Sequence, residues 1–321
     1  MKAAIIGIAG PALRADEAAL FRAHPPAGVI LFARNIQNPA QLRALMAELR
    51  LVLPPDAVFM VDQEGGRVAR LRPPHWRRHP PARSLRTLRQ AWLTGALIGL
   101  DCAAAGFNTA AAPVLDLSIP GAHDVIGDRA LDDDPGMIAR LGRAMAEGLL
   151  AAGIQPIGKH APGHGRARAD SHLSLPVVEA NYLDADLLPF IRNADLPWMM
   201  TAHIVYPAFD PLLPATLSPS IIGQIIRGRI GFQGVLVTDD LAMKALSGEP
   251  SDLAVQALAA GCDLALYCSG VYAPTEALLT HCPLLSDRTR TRMVQAREKA
   301  ARARIVLDTV SLARERDRSL T

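Results

Sequence analysis

Eight short apolar runs recur along the 321 residues, separated for the most part by longer stretches of helical period. They are 3–8 (AAIIGI), 28–33 (GVILFA), 57–62 (AVFMVD), 106–114 (GFNTAAAPV), 154–159 (IQPIGK), 197–203 (PWMMTAH), 234–239 (GVLVTD) and 262–267 (CDLALY). These runs do not alternate polar with apolar, which is the signature of parallel strands buried on both faces. Segment 137–152 typifies the helical stretches: Ile138, Leu141, Met145 and Leu149 share one face. Asp134 can cap its start, Pro135 suits the first turn and Gly153 can end it. Eight strand–helix repeats predict an α/β chain folded as a single (β/α)8 TIM-type barrel, a fold that runs to about 250 residues or more. A doubly wound open sheet is the alternative, but no GxGxxG follows an early strand. With no Ser/Gly linker or break in composition, one barrel domain is expected over residues 1–321.

Half the residues are hydrophobic and the formal net charge is only +3. Arginines crowd at 67–89 and 288–304, where an acidic partner could dock. No aromatic residues interleave with the second run, so a solvated helix face is expected there and a nucleic-acid partner is not. Cys102, Cys262, Cys268 and Cys282 form no CxxC pair and sit mainly beside apolar residues. Reduced core thiols, and hence a cytoplasmic setting, follow. No apolar run reaches the roughly 18 residues of a membrane span, so no membrane partner is expected. The opening MKAAIIGIAG could pass for a signal peptide. Read as the first strand, however, it cannot be removed without opening the barrel.

Polar residues gather where the runs end: VDQEGGRVAR after the third, GKH after the fifth, TAH after the sixth and TDD after the seventh. Catalytic groups of an α/β barrel sit at the C-terminal ends of its strands. The stretch KHAPGHGRARADSH, 159–172, holds three of the nine histidines, and three chemistries compete for it. A metal could use His160, His164, Asp170 and His172, with His203 in reserve. The i, i+4 pair His160/His164 is nonetheless interrupted by Pro162 and Gly163, which a regular helix does not accept. A phosphate loop would need Lys-Ser/Thr after its last glycine, and the stretch lacks it. An acid–base device would use Asp170 and His172, which share a face if the backbone is extended; the carboxylate then fixes the imidazole tautomer. In VTDDLAM consecutive acids point oppositely, so Asp239 can face the barrel axis as a nucleophile while Asp240 anchors the following loop.

In this order, VDQEGGRVAR, IGDR, KHAPGHG, DSH and TDDLAM resemble the signature blocks of glycoside hydrolase family 3. More narrowly they resemble its single-domain β-N-acetylglucosaminidases of peptidoglycan recycling. The resemblance implies a retaining hydrolysis with Asp239 as nucleophile, His172 as acid/base and Asp170 as its partner. It assigns the sugar to Asp62, Arg70, Arg129, Lys159 and His160. It implies no cofactor or metal, and a small carbohydrate or muropeptide as the substrate. Most retaining enzymes use two carboxylates; an imidazole, with an ordinary pKa near ~6.5, does not repel an anionic acceptor. That leaves a phosphorylase as an alternative, beside a metal-dependent hydrolase and a non-catalytic sugar-binding barrel. Two departures from the family pattern stand out. Ala161 replaces a residue that is often bulky, and RPPHWRRHPPARS, 72–84, follows no block of the family.

Overall fold

The computed structural model describes residues 1–171, 173–180 and 183–320. Eight parallel strands close into a barrel in the order β1 (Lys2–Gly7), β2 (Pro26–Leu31), β3 (Val58–Val61), β4 (Thr109–Ala110), β5 (Gln155–Ala161), β6 (Trp198–Thr201), β9 (Val235–Asp240) and β10 (Leu264–Tyr267). The two intervening strands, β7 (Val205–Tyr206) and β8 (Asp210–Pro214), form a separate antiparallel hairpin after β6. Closure runs through the first strand, where Ala4 pairs with Ala265 of β10 and Ile5 with Gly28 of β2. The chain start is thus part of the barrel wall. Helices Ala15–Ala23, Pro39–Val52, Leu88–Ala105, Pro135–Ala151, Asp184–Arg192, Ile221–Arg229, Pro250–Ala260 and Tyr272–His281 follow the eight barrel strands in turn. Asp287–Ala303 and Thr309–Leu320 come after them. The predicted barrel is the observed one.

Helix Pro135–Ala151 forms as its pattern predicts. Asp134 accepts a hydrogen bond from Met137 N at 2.6 Å, and Ile138, Leu141, Met145 and Leu149 are all buried. Just beyond its end Gly153 takes φ of +82°, a conformation that suits glycine. The fourth run is where pattern and structure differ most. Of 106–114 only Thr109–Ala110 is ladder strand, because Pro113 brings no N–H to continue it. The chain still runs beside β5, with Leu115 N donating to Lys159 O at 2.7 Å, and so delivers Asp116 to the barrel rim.

Helix Asp287–Ala303, which carries most of the second arginine run, has the solvated face expected of it, with Arg288, Arg290 and Arg302 exposed. Arg292 and Arg227 both pair with buried Asp263, at 2.9 and 2.7 Å. Arg297 reaches Asp56 and Lys299 reaches Asp195. In the first run Arg67 pairs with Asp128, Arg83 with Asp133 and Arg89 with Glu315. Their acidic partners are this chain's own loops and helices. All four cysteines are buried free thiols. Among the described residues, no helix is long and apolar enough to cross a membrane.

Candidate active site

The C-terminal ends of the strands surround one cavity, which Asp62, Arg70, Arg129, Lys159, His160 and Asp239 all line. These are six of the eight residues singled out from the sequence. His172 lies outside the described residues. Asp170 opens a turn, its carbonyl accepting from Leu173 N at 2.9 Å and Ser174 N at 3.0 Å. The pairing of Asp170 with His172 on one face therefore lies outside the described residues.

On one wall five charges interlock. Lys159 Nζ lies 3.1 Å from Asp62 and 2.6 Å from Glu64. Arg129 grips Glu64 through two nitrogens at 2.8 and 2.9 Å, and Arg70 donates to Asp62 at 3.1 Å. Burial alone would push both carboxyls up, yet the cations outweigh it. Arg129 and Lys159 hold Glu64 at about 2, and Lys159 with Arg70 keeps Asp62 below its usual range. Burial opposes the charge of Lys159, but Asp62 and Glu64 prevail and raise its pKa. Glu64 and Lys159 are buried, whereas Asp62 and Arg70 keep some exposure and can offer hydrogen bonds to a ligand. Such charge-assisted bonds are roughly twice as strong as neutral ones.

A second group is built on Asp116, which is fully buried. It accepts from His160 Nδ1 at 2.7 Å, His160 N at 3.1 Å and His164 N at 2.7 Å. Burial works against the Asp116 carboxylate; His160 and these donors hold its pKa down. With Nδ1–H committed to Asp116, the Nε2 of His160 is left for other partners. His164 Nε2 meets Ser171 Oγ at 3.0 Å, while burial and the neighbouring His160 depress the ring pKa to about 4. Both glycines of PGHG are needed for packing. Gly163 has φ of +137°, and a Cβ on Gly165 would stand 2.2 Å from Leu117 O.

The adjacent acids at the end of β9 differ in environment. Asp240 Oδ1 accepts from Ala242 N and Cys268 N, both at 2.9 Å, tying down the next two loops. Burial pushes its pKa up. Asp239 Oδ1 accepts from Asp240 N at 2.8 Å. Burial would raise Asp239 too, but His160, His203, that backbone N–H and Lys159 bring it below the ordinary carboxylate range. His203 supports the wall from behind, meeting Thr216 Oγ1 at 2.7 Å and Asp240 O at 3.0 Å. Among the described residues, no three His, Cys, Asp or Glu side chains converge to hold a metal ion.

Sequence reasoning missed Glu64, Asp116 and Cys268 as parts of this site. Glu64 lies inside the quoted VDQEGGRVAR block. Asp116 ends an apolar run in PVLDLS, as Asp62 and Asp239 end theirs. Cys268 lines the cavity, and its sequence neighbours carry no comparable signal.

A closed parallel barrel with carboxylates, cations and imidazoles around one cavity at its strand ends has the architecture of a barrel enzyme with a polar, charged site. The Glycosyl hydrolase family 3 N terminal domain matches residues 4–303. The chain belongs to that family and is a glycoside hydrolase. A Beta-hexosaminidase of Alkalilimnicola ehrlichii is 40% identical over 300 residues, covering 87% of this chain and 84% of the relative. A Beta-hexosaminidase of Pseudomonas aeruginosa PAO1 is 40% identical over 276 residues, covering 83% and 82%. Among solved structures, NagZ from Neisseria gonorrhoeae in complex with N-trifluoroacetyl-D-glucosamine matches with a TM-score of 0.85 at 30% identity, covering 100% of this chain and 98% of that one. A glycoside hydrolase family 3 beta-N-acetylglucosaminidase from Paenibacillus sp. str. FPU-7 matches at 0.85 and 32% identity, covering 95% and 62%.

Proposed function

We propose that this glycoside hydrolase is a retaining exo-β-N-acetylglucosaminidase. Asp239 attacks the anomeric carbon of a terminal β-linked N-acetylglucosamine, and the glycosidic C–O bond breaks as His172 protonates the departing oxygen. A glycosyl–Asp239 ester results. His172 then takes a proton from water, whose oxygen displaces Asp239 and restores the β configuration. Asp170 orients His172, while Asp62, Arg70, Arg129, Lys159 and His160 hold the sugar.

The observation that carries this reading is Asp239. Its carboxylate is kept ionised at the end of a barrel strand and lines the same cavity as the Asp62–Lys159–Arg70 cluster. The names of the relatives support N-acetylglucosamine as the sugar. The leaving group proposed is 1,6-anhydro-N-acetylmuramic acid, with or without peptide, in cell-wall recycling. Residues 1–321 are proposed to act as one catalytic domain, in the cytoplasm, where buried reduced thiols persist.

Two measurements test it. An aryl β-N-acetylglucosaminide should be cleaved far faster than the matching aryl β-glucoside; equal rates refute the sugar assignment. An activated 2-fluoro sugar should label Asp239, in wild type and in Asp240→Ala alike, and should label nothing in Asp239→Ala. A label on Asp240 would move the nucleophile.

A further inference from the structure

Two segments far apart in the chain touch, one beside the active site and one beyond the family match. Residues 72–84 directly follow the VDQEGGRVAR block, and helix Thr309–Leu320 lies beyond the matched residues 4–303. Their contact is a buried chain of hydrogen bonds. Arg316, 5% exposed, places Nη1 3.2 Å from His79 Nδ1. A guanidinium only donates, so His79 Nδ1 accepts and the ring proton sits on Nε2. Nε2–H then donates to Asp101 Oδ2 at 2.9 Å, and Asp101, on helix Leu88–Ala105, also pairs with Arg77 at 3.3 Å. Asp317 holds another edge of the Arg316 guanidinium.

The same His79 presses on the active-site wall. Its carbonyl accepts from Gly66 N at 3.1 Å. A Cβ on Gly65 would stand 2.2 Å from Pro80 O, and one on Gly66 would stand 2.8 Å from Pro81 Cβ. Residues 79–81 thus lie flat against the Gly65–Gly66 turn. That turn is closed by Glu64 N and Gly65 N donating to Val68 O at 2.9 and 3.2 Å. Glu64, Val68 and Arg70 line the cavity.

We propose that helix Thr309–Leu320 serves substrate binding from outside the cavity, with Arg316 a positioning residue that acts through His79 on the Gly65–Gly66 turn. The turn in turn sets Asp62, Glu64 and Arg70. Coupling between separated parts of a protein is carried by packed side chains and hydrogen-bond networks, and substitutions along them can modulate it several-fold. The inference rests on the proposed function only for its assay substrate.

The test compares Arg316→Met with Glu315→Ala, a neighbour on the same helix whose loss breaks only its exposed pair with Arg89 of helix Leu88–Ala105 and leaves His79 alone. Kinetics on an aryl β-N-acetylglucosaminide are read beside amide hydrogen exchange over 62–71. Arg316→Met should raise KM about 5- to 10-fold with kcat within about 2-fold, and speed exchange over 62–71. Glu315→Ala should change neither. If Arg316→Met does not fold, His79→Phe replaces it, because a phenyl ring keeps the bulk of the side chain and has no acceptor for Arg316. Unchanged KM and exchange in these variants would overturn the proposal, as would Glu315→Ala reproducing the effect. Should the wild type not cleave the substrate, the functional reading fails, and the exchange data alone decide the role of Arg316.

Discussion

Asp239 and Asp240 are neighbours of the same type, and their surroundings push their pKa values in opposite directions. Both line the cavity, but Asp240 accepts two backbone N–H groups from the following loops and works as an anchor, whereas Asp239 takes only one. Separation of this kind lets one carboxylate stay ionised for attack while acid chemistry is left to another group. That group is proposed to be His172, and its role can be isolated by choice of leaving group. His172→Ala should cost a natural disaccharide far more than an aryl glycoside, because an alkoxide leaves poorly without a proton. General acid–base assistance is typically worth ~100- to 10,000-fold. Azide needs no deprotonation, so it should restore aryl turnover and yield a β-glycosyl azide. Equal losses on both substrates with no azide product would leave His172 a structural residue. The acid would then be sought at His160, His164 or His203; both ring nitrogens of His203 already have partners in Thr216 Oγ1 and Asp240 O, whereas Asp116 engages only the Nδ1 of His160.

Among the elements, the segment after β5 shows how local sequence becomes site geometry. Strand β5 carries Lys159 and His160 into the cavity, and PGHG then turns the chain tightly beneath the loop. Tyr206 OH donates to Gly163 O at 2.8 Å, pinning this turn to the β7–β8 hairpin. Gly165 is packed against Leu117, whose O, C and N lie 2.2 to 2.9 Å from any added Cβ. These are backbone atoms and cannot swing aside. Gly165→Ala should therefore cost about 1–3 kcal/mol, as overpacking does, and should lower kcat/KM further by displacing Ser171 and the loop beyond it. Thermal unfolding and kinetics check this; a variant as stable and as active as wild type would show that the loop accommodates the methyl. Glycine spacing was readable in the sequence as a turn. That it answers to a close approach by Leu117, and not to a phosphate, depended on the neighbour across the fold.

At the scale of the whole molecule, the barrel brings charges from distant parts of the chain into one buried cluster, and its stability should record this. Glu64 has its pKa lowered from 4.5 to about 2 by Arg129 and Lys159, against its burial. A group depressed in the folded state contributes stability that is fully present above about pH 4.5 and is lost as pH falls through about 2. Glu64→Gln should thus destabilise by about 3 kcal/mol near neutrality, and its gap from wild type should narrow steadily below pH 4.5. Chemical denaturation at a series of pH values measures it; a gap constant down to pH 2.5 would remove Glu64 from the ion cluster. Sequence by itself determined the eight runs, the barrel they build and the rim on which Asp62, Lys159, His160 and Asp239 stand. Strand burial, strand direction and the strand-end position of polar residues are all local properties of the chain. Only the tertiary structure decided that Glu64 bridges Lys159 and Arg129, that Asp116 holds both His160 and His164, and that Arg316 reaches His79. Each of these contacts joins segments far apart in the chain, and an ion pair or hydrogen bond forms only where folding has already removed water and fixed both partners within about 3 Å.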